Sequence, residues 1–183
     1  MERLNIPVLL GTAREGRASE GPAKYIHRLL LEKDVESALI DPRDYHEKKT
    51  FEKERVQPWA DIMKRADGLV IVTPEYNHGY PGPLKEMLDA LYEEFARKPV
   101  AVCGVSAGML GGARVVEQVK LVAIELHMCP IRESVYFSDV RNLFNEKGDI
   151  TDPGFDARCA QMFEELFWFA RALKAGREGV VRE

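Results

Sequence analysis

Short apolar runs alternate with longer amphipathic segments along this chain, and that alternation constrains the fold more than any other feature. The runs are rich in Val, Ile and Leu, and two of them, residues 68–72 and 99–105, are continuously apolar. Continuous apolar strands are typical of a parallel sheet that helices cover on both faces. The sequence therefore predicts a three-layer α/β fold with a parallel sheet.

Five strands and five helices are predicted from these patterns. The strands are residues 6–10, 35–40, 68–72, 99–105 and 128–137. The helices are residues 19–31, a segment around 59–66, a segment from about Pro83 to Phe95, residues 113–126, and a last helix that begins at Thr151 or Asp152. The charged run of residues 46–55 is predicted to be a solvated connection.

The composition favours one domain over residues 1–183, because a chain of 183 residues can bury a sizeable core without metals or disulfides. A net charge of −4 argues against a nucleic-acid partner. The apolar run near the N-terminus is only five residues long, too short for a signal peptide or a membrane span. We therefore expect a cytoplasmic protein that has no membrane partner.

Cysteine and histidine patterns predict neither a disulfide framework nor a metal site. The three cysteines are widely spaced and form no CxxC pair, and the four histidines are scattered. Cys103 lies inside an apolar run and is predicted to be a small buried hydrophobic residue.

Three strand-to-helix loops carry unusual chemistry, and they predict the order of the strands. These stretches are residues 11–21, 73–89 and 106–114, which follow the first, third and fourth strands, and the second of them runs into a helix. The loop after the second strand is merely charged. In the sheet order 2-1-3-4-5 the three loops share one edge, with a switch point between strands 1 and 3 where ligands bind. One shared site favours this five-stranded order over 3-2-1-4-5-6.

The first loop has the chemistry of a phosphate site. It offers the hydroxyls of Thr12 and Ser19, the guanidinium groups of Arg14 and Arg17, and the start of a helix. The alternative is an ordinary capped helix with solvated arginines. The loop is neither a P-loop nor a GxGxxG fingerprint.

The second and third loops suit a flat ring attached to that phosphate. Pro74 and Pro81 stiffen the backbone, and N–H groups around Glu75 to Asn77 are expected to meet ring carbonyls and nitrogens. Gly108 and its neighbouring glycines allow the backbone to lie beside the other edge of the ring.

The motifs GTxRxxRxS, TPEYNxGxPGxLKxxLD and SAGxxGG, found in these loops, resemble those of the NADPH-dependent FMN reductase family, a flavodoxin-like family that includes quinone, azo-dye and chromate reductases. The resemblance covers nearly the whole chain. It implies bound FMN, and NADPH or NADH as a transient co-substrate. By similarity, the phosphate residues are Thr12, Arg14, Arg17 and Ser19, the ring-lining residues are Pro74, Glu75, Tyr76 and Asn77, and the flanking residues are Ser106 and Gly108.

The resemblance also implies the activity. Electrons pass from the nicotinamide through FMN to a small acceptor such as a quinone, an azo compound, a flavin or a metal oxyanion, by a ping-pong mechanism. The flavin carries this chemistry, so no catalytic side chain and no metal is expected. Members of the family usually form dimers or tetramers, so a homodimer or homotetramer is expected.

Two other functions compete with this interpretation. A flavodoxin-like electron carrier shares the fold, but the paired Arg14 and Arg17 and the modest net charge disfavour it. A serine hydrolase is suggested by GxSxG at residues 104–108. Only His127 follows Ser106 as a histidine, and no Asp lies between them, which disfavours the hydrolase.

Overall fold

Strand and helix alternate through the computed structural model, which describes residues 3–45 and 53–179. The strands are β1 (Val8–Leu10), β2 (Leu39–Ile40), β3 (Leu69–Pro74), β4 (Pro99–Val105), β5 (Cys129–Pro130) and β6 (Tyr136–Phe137). The helices are α1 (Glu20–Leu31), α2 (Lys53–Arg65), α3 (Gly82–Asp89), α4 (Ala113–Glu125), α5 (Val140–Leu143) and α6 (Gly154–Arg177).

The strands form one parallel sheet in the order β2-β1-β3-β4-β5, with β6 also pairing with β4. Leu9 of β1 pairs with Ile40 of β2 on one side and with Ile71 of β3 on the other. This order confirms the predicted flavodoxin-like topology. The carboxyl ends of β1, β3 and β4 consequently lie side by side.

Alternate residues of the central strands enter two separate cores. Val8, Leu10 and Cys103 pack with α1 and α6 on one face, whereas Leu9 and Ile71 pack with α2, α3 and α4 on the other. Helices on both faces explain why these strands are continuously apolar. Cys103 is fully buried, which confirms that it acts as a small core residue.

Several predicted bounds were wrong. The second strand spans two residues instead of six, and the fifth is interrupted to give β5 and β6. The interruption follows Pro130, which has no N–H to donate to a neighbouring strand. α3 ends at Asp89, and a separate 3-10 turn, Glu93–Phe95, completes the predicted apolar face. Such a short turn keeps Phe95 in the core without a continuous helix.

The charged run of residues 46–55 also differs from its prediction. Residues 46–52 lie outside the described residues, whereas residues 53–55 belong to α2. Among the described residues, no helix is both long and apolar enough to cross a membrane.

Candidate functional site

The loops after β1, β3 and β4 converge on one cleft of about 290 Å³ at the carboxyl edge of the sheet. The segment after β6 closes it on a fourth side. The cleft is lined by Arg14, Glu15, Gly16, Arg17, Ala18, Pro74, Glu75, Tyr76, Val105, Ser106, Ala107, Val140 and Arg141. The structure therefore brings together at least one residue from each of the three loops that sequence analysis singled out.

The first loop leaves β1 in tight contact with β3. The Gly11 N–H donates to the Val72 carbonyl over 2.8 Å, and a Cβ added at Gly11 would lie 2.4 Å from the Thr73 side chain. A side chain at position 11 would therefore force the two strand ends apart. Glycine here fixes how closely the first loop approaches the second.

Arg17 lines the cleft but is buried, and its guanidinium is bonded to the protein. Its Nη1 donates to Asp41 Oδ1 over 2.8 Å and to the Thr12 carbonyl over 2.9 Å, and its Nη2 donates to Asp41 Oδ2 over 2.5 Å. Burial alone would raise the pKa of the Asp41 carboxyl, but the bonds from Arg17 and Arg43 outweigh that effect and hold this pKa well below its usual range. Both Nη atoms of Arg17 are thus already bonded within the protein, whereas its buried Nε forms no hydrogen bond among the described residues and lies 3.5 Å from Glu20 Oε2.

Thr12 and Ser19 are buried as well. Thr12 Oγ1 accepts from the Arg14 N–H over 3.2 Å, which shapes the start of the loop. Ser19 is the N-cap of α1, yet its hydroxyl makes no capping bond and has no partner among the described residues. A phosphate reaches this hydroxyl only if the loop over it shifts.

Arg14 is the one predicted phosphate residue with an exposed side chain. Its guanidinium carbon lies 5.7 Å from the centre of the Tyr76 ring, so Arg14 joins the first loop to the second by a cation–π contact. Beside it, the N–H groups of residues 15 to 19 find no acceptor within the described part of the chain. Free N–H groups next to an exposed cation can bind an anion.

The second loop is a tight reversal from Tyr76 to Gly79. The two residues exchange backbone hydrogen bonds of 2.9 and 3.0 Å. The central residues, Asn77 and His78, both have positive φ, 50° and 67°, as a type I′ turn requires. Gln118 of α4 donates to the His78 carbonyl and fixes the turn against that helix. Asn77 is exposed and stands outside the cleft lining, while Tyr76 lines it.

Glu75 is held by Arg114, at the start of α4. Its carboxylate accepts from the Arg114 backbone N–H over 3.2 Å and from Arg114 Nη1 over 2.9 Å. Its own N–H donates to the Val105 carbonyl. Glu75 therefore ties the second loop to the start of α4, and its charge is neutralised before any ligand binds.

The third loop folds back onto β4 through closely packed glycines. A Cβ on Gly104 would lie 2.6 Å from the Gly111 carbonyl oxygen, and a Cβ on Gly112 would lie 2.6 Å from the Val105 nitrogen. This packing leaves residues 106–110 at the surface. The Ser106 hydroxyl lines the cleft and donates to the Gly108 carbonyl over 3.0 Å, while Gly108 itself is exposed and lies outside the lining.

No hydrolase triad forms around Ser106 among the described residues. His127 follows the far end of α4, a 13-residue helix that spans about 20 Å at roughly 1.5 Å per residue. The His127 carbonyl accepts from Arg97, just before β4, at the opposite edge of the sheet. No cluster of three His, Cys, Asp or Glu that could hold a metal is found in the described ranges.

The fourth wall of the cleft, formed by Val140 and Arg141 of α5, was not predicted from the sequence. The Val140 N–H donates to the Ser106 carbonyl, and the Asp139 N–H donates to the Gly108 carbonyl, each over 3.2 Å. Asp139 has a positive φ of 45°, and its carboxylate accepts from Asn142. A helix of four residues is too short to show a periodic pattern, so no sequence signal marked it.

The residues of the cleft fit FMN. The free N–H groups of residues 15 to 19, the unpartnered Ser19 hydroxyl and the exposed Arg14 suit its phosphate. The Tyr76–Gly79 turn and the exposed Ser106–Gly108 backbone suit its ring. The residues that would hold the group are thus on two sides of one cleft, at the switch point of the sheet.

Comparisons with known proteins agree with this fit. Residues 4–142 match the family described as NADPH-dependent FMN reductase. The chain is 28% identical over 166 residues to a quinone reductase from Escherichia coli K12, covering 84% of this chain and 88% of that protein.

Solved structures share the fold. The flavoenzyme NAD(P)H:(acceptor) oxidoreductase FerB from Paracoccus denitrificans superposes with a TM-score of 0.74 at 21% identity, covering 93% of this chain and 97% of that one. A flavodoxin from Pseudomonas aeruginosa superposes with a TM-score of 0.55 at 19% identity, covering 93% and 99%. Since the family match spans most of the sequence and all three loops, this chain belongs to the NADPH-dependent FMN reductase family, and it is an oxidoreductase whose cofactors are FMN and NAD(P)H.

Proposed function

We propose that this protein takes electrons from NADPH or NADH and passes them through bound FMN to a small acceptor, in a ping-pong cycle. The observation that carries the proposal is the convergence of three loops on one cleft at the carboxyl ends of β1, β3 and β4. Free backbone N–H groups lie at one end of this cleft, and exposed loop backbone lies at the other.

At the phosphate end, Arg14 supplies charge and the N–H groups of residues 15 to 19 supply donors. Thr12 and Arg17 act beneath the surface, because Thr12 orders the turn and Arg17 anchors it to Asp41. Ser19 adds its hydroxyl if the loop closes onto the phosphate.

At the ring end, Pro74, Glu75 and Tyr76 form one wall and Ser106 lies on the other, while Asn77 and Gly108 are exposed beside the cleft, where the ring would extend beyond the lining. Glu75 is fixed by Arg114, and the turn after it is fixed by Gln118, so this wall is organised before the ligand arrives. A preorganised wall lowers the entropy lost on binding.

When bound, FMN supplies the redox chemistry, accepting two electrons from the nicotinamide and giving them to the acceptor. The chain's own residues bind the FMN and orient it. The acceptor is proposed to be a quinone, an azo compound, a flavin or a metal oxyanion, and the E. coli relative named quinone reductase supports the first of these. A flavodoxin-like carrier without its own substrate is the alternative, supported only by the shared fold.

We also propose that residues 1–183 form one domain that acts in the cytoplasm as a homodimer or homotetramer. Large apolar side chains on the outer surface support self-association. Leu121 and Ile124 of α4 are 69% and 59% exposed, and Met109 beside the cleft is 95% exposed. Exposed apolar groups of this size mark interaction surfaces when they are contiguous.

The decisive experiment is the visible absorption spectrum of the purified protein, before and after NADPH is added without oxygen. Flavin bands that bleach with NADPH, followed by steady turnover with a simple quinone, are the expected result. Flavin bands that resist both NADPH and NADH would indicate the electron carrier, and bands that resist NADPH alone would indicate NADH as the reductant. A colourless protein that takes up no added FMN would contradict the proposal.

The ping-pong order has its own test. Initial rates measured over a grid of NADPH and quinone concentrations should give parallel double-reciprocal lines, because the nicotinamide leaves before the acceptor binds. Intersecting lines would show that both substrates occupy the protein together and would overturn this part of the proposal.

A further inference from the structure

The cleft has two exposed guanidinium groups, and only one of them belongs to a recognised motif. Arg14 comes from the first loop. Arg141 comes from α5 and forms no hydrogen bond or ion pair with the described residues. The third arginine of the cleft, Arg17, has a side chain only 1% exposed and is paired with Asp41.

The other charges of the cleft leave Arg141 without a counterion. Glu75 is bound by Arg114, and Arg17 is bound by Asp41 with Glu20 3.5 Å from its Nε. Glu15 is exposed on the first loop and forms no ion pair with Arg141 or with any other described residue. An arginine that lines a concave site without a counterion can bind an anionic group.

Arg141 belongs to a short segment, residues 139–144, that is fixed at both of its ends. At its start, Asp139 and Val140 donate to the carbonyls of Gly108 and Ser106. At its end, the Phe144 ring packs on the first turn of α1, since a Cβ on Gly21 would lie 3.1 Å from Phe144 Cε2. Residues 139–144 therefore run from the ring end of the cleft to the helix terminus at the phosphate end.

The start of this segment is also held in a conformation that costs energy. Asp139 adopts a left-handed φ of 45° without being a glycine. Its carboxylate accepts from Asn142 Nδ2 over 3.1 Å, which stabilises the turn into α5. Strained residues of this kind persist where a surrounding structure fixes them, often beside a functional site.

We propose that Arg141 binds the phosphate group of FMN together with Arg14, in the role that the motif resemblance gave to Arg17. This inference rests on the proposed function. The segment carries Arg141 toward the N-terminus of α1, where the free N–H groups of residues 15 to 19 already favour a phosphate. Arg17 then acts on the phosphate only through the shape of the loop.

The test compares FMN with riboflavin, which has the same ring but no phosphate. Apo-protein is titrated with each flavin while the flavin fluorescence is followed, for the wild type, Arg141→Gln and Arg141→Lys. Arg132→Gln, which removes an exposed arginine outside the cleft, is the matched control.

Arg141→Gln is expected to weaken FMN binding by about 10- to 100-fold, the range for a charge-assisted hydrogen bond, and to leave riboflavin binding unchanged. Arg141→Lys should recover part of the FMN affinity, because it keeps the charge but loses the two-point geometry. Arg132→Gln should match the wild type for both flavins.

Two results would overturn the inference while leaving the proposed function intact. One is a wild-type preference for FMN over riboflavin that persists in Arg141→Gln. The other is an equal loss for FMN and riboflavin, which would place Arg141 at the ring. A wild-type protein that binds neither flavin would instead refute the proposed function itself.

Discussion

The guanidinium of Arg17 and the carboxylate of Asp41 form a two-point ion pair that joins the loop after β1 to the residue after β2. The two bonds are 2.8 and 2.5 Å long, and the Arg17 side chain is 1% exposed. Because β2 and β1 are neighbours in the sheet, this pair locks the first loop against the edge of the fold. The loop is thus shaped by a residue outside all three motifs.

Asp41→Asn should destabilise the protein by about 3 kcal/mol, because it leaves a buried guanidinium with only the more distant carboxylate of Glu20, 3.5 Å from its Nε. The amide can accept one bond but carries no charge. Urea unfolding followed by circular dichroism measures the change. Asp44→Asn is the matched control, since Asp44 is exposed in the 3-10 turn Pro42–Asp44 that Asp41 caps, and its substitution should change the free energy of unfolding by less than about 0.5 kcal/mol. Equal effects in the two variants would show that the buried pair contributes nothing particular.

The same pair predicts a pH window. The folded-state pKa of Asp41 lies below its unfolded value of about 3.9, so the folded protein binds this proton only at lower pH. The stability from the pair is therefore complete above about pH 5 and is lost as pH falls through about 4 toward the folded pKa.

We expect the difference in unfolding free energy between wild type and Asp41→Asn to be constant from about pH 5 to 8 and to shrink below about pH 4. Urea midpoints across this range measure it. A difference that shrinks near neutral pH would assign the effect to another titrating group.

The order of the strands could be predicted because the loops with binding residues follow strands whose ends lie side by side in only one common topology. Loops with binding residues follow strands 1, 3 and 4 but not strand 2, and only one common order places these three ends together. The lengths of the strands could not be predicted. The second strand was predicted over residues 35–40, but β2 contains only Leu39 and Ile40, because strand length depends on which neighbouring backbone is available for pairing.

Within the site, the roles of the residues in the first loop could be predicted only in part. Its residue types were predicted, yet the partner of Arg17 lies 24 positions away in a segment that sequence analysis described only as charged. Whether an arginine pairs with a carboxylate of the protein or binds a ligand depends on the tertiary structure around it. Sequence spacing alone therefore cannot separate an anchoring arginine from a binding one.

Ser19→Ala separates stability from binding at that loop. The hydroxyl makes no capping bond and has no partner among the described residues, so its removal should change the free energy of unfolding of the apo-protein by less than about 0.5 kcal/mol. A serine that caps its helix would instead cost about 1 kcal/mol. FMN affinity should nevertheless fall, by about 2- to 10-fold for one lost neutral hydrogen bond.

Chemical unfolding without FMN and fluorescence titration with FMN measure the two effects separately. Ser134→Ala is the matched control, since the Ser134 hydroxyl is also buried without a partner among the described residues but lies outside the cleft lining, so neither quantity should change by much. If Ser19→Ala left FMN affinity unchanged, the phosphate would bind without reaching Ser19, and the loop would not need to shift.

Gly112→Ala tests how the third loop is held. Gly112 has a φ of 83°, and a Cβ there would lie 2.6 Å from the Val105 nitrogen. The left-handed backbone alone costs an alanine about 1 kcal/mol, and the collision with β4 should add about 1 to 3 kcal/mol. Thermal or urea unfolding of the apo-protein gives the sum.

Gly148→Ala isolates the first of these costs. Gly148 has a nearly identical φ of 81°, but a Cβ there would meet nothing within 4 Å. The Gly148→Ala variant should lose only about 1 kcal/mol of unfolding free energy. The difference between the two variants therefore measures the cost of the collision at the end of β4. Because Gly104 and Gly111 share that contact, Gly112→Ala should also displace the Ser106–Gly108 wall and weaken FMN and riboflavin alike, whereas Gly148→Ala should not. Equal losses of stability in the two variants would mean that the third loop can move to accept the added Cβ at little cost. Glycine would then be needed at position 112 for its positive φ and not for close packing against β4.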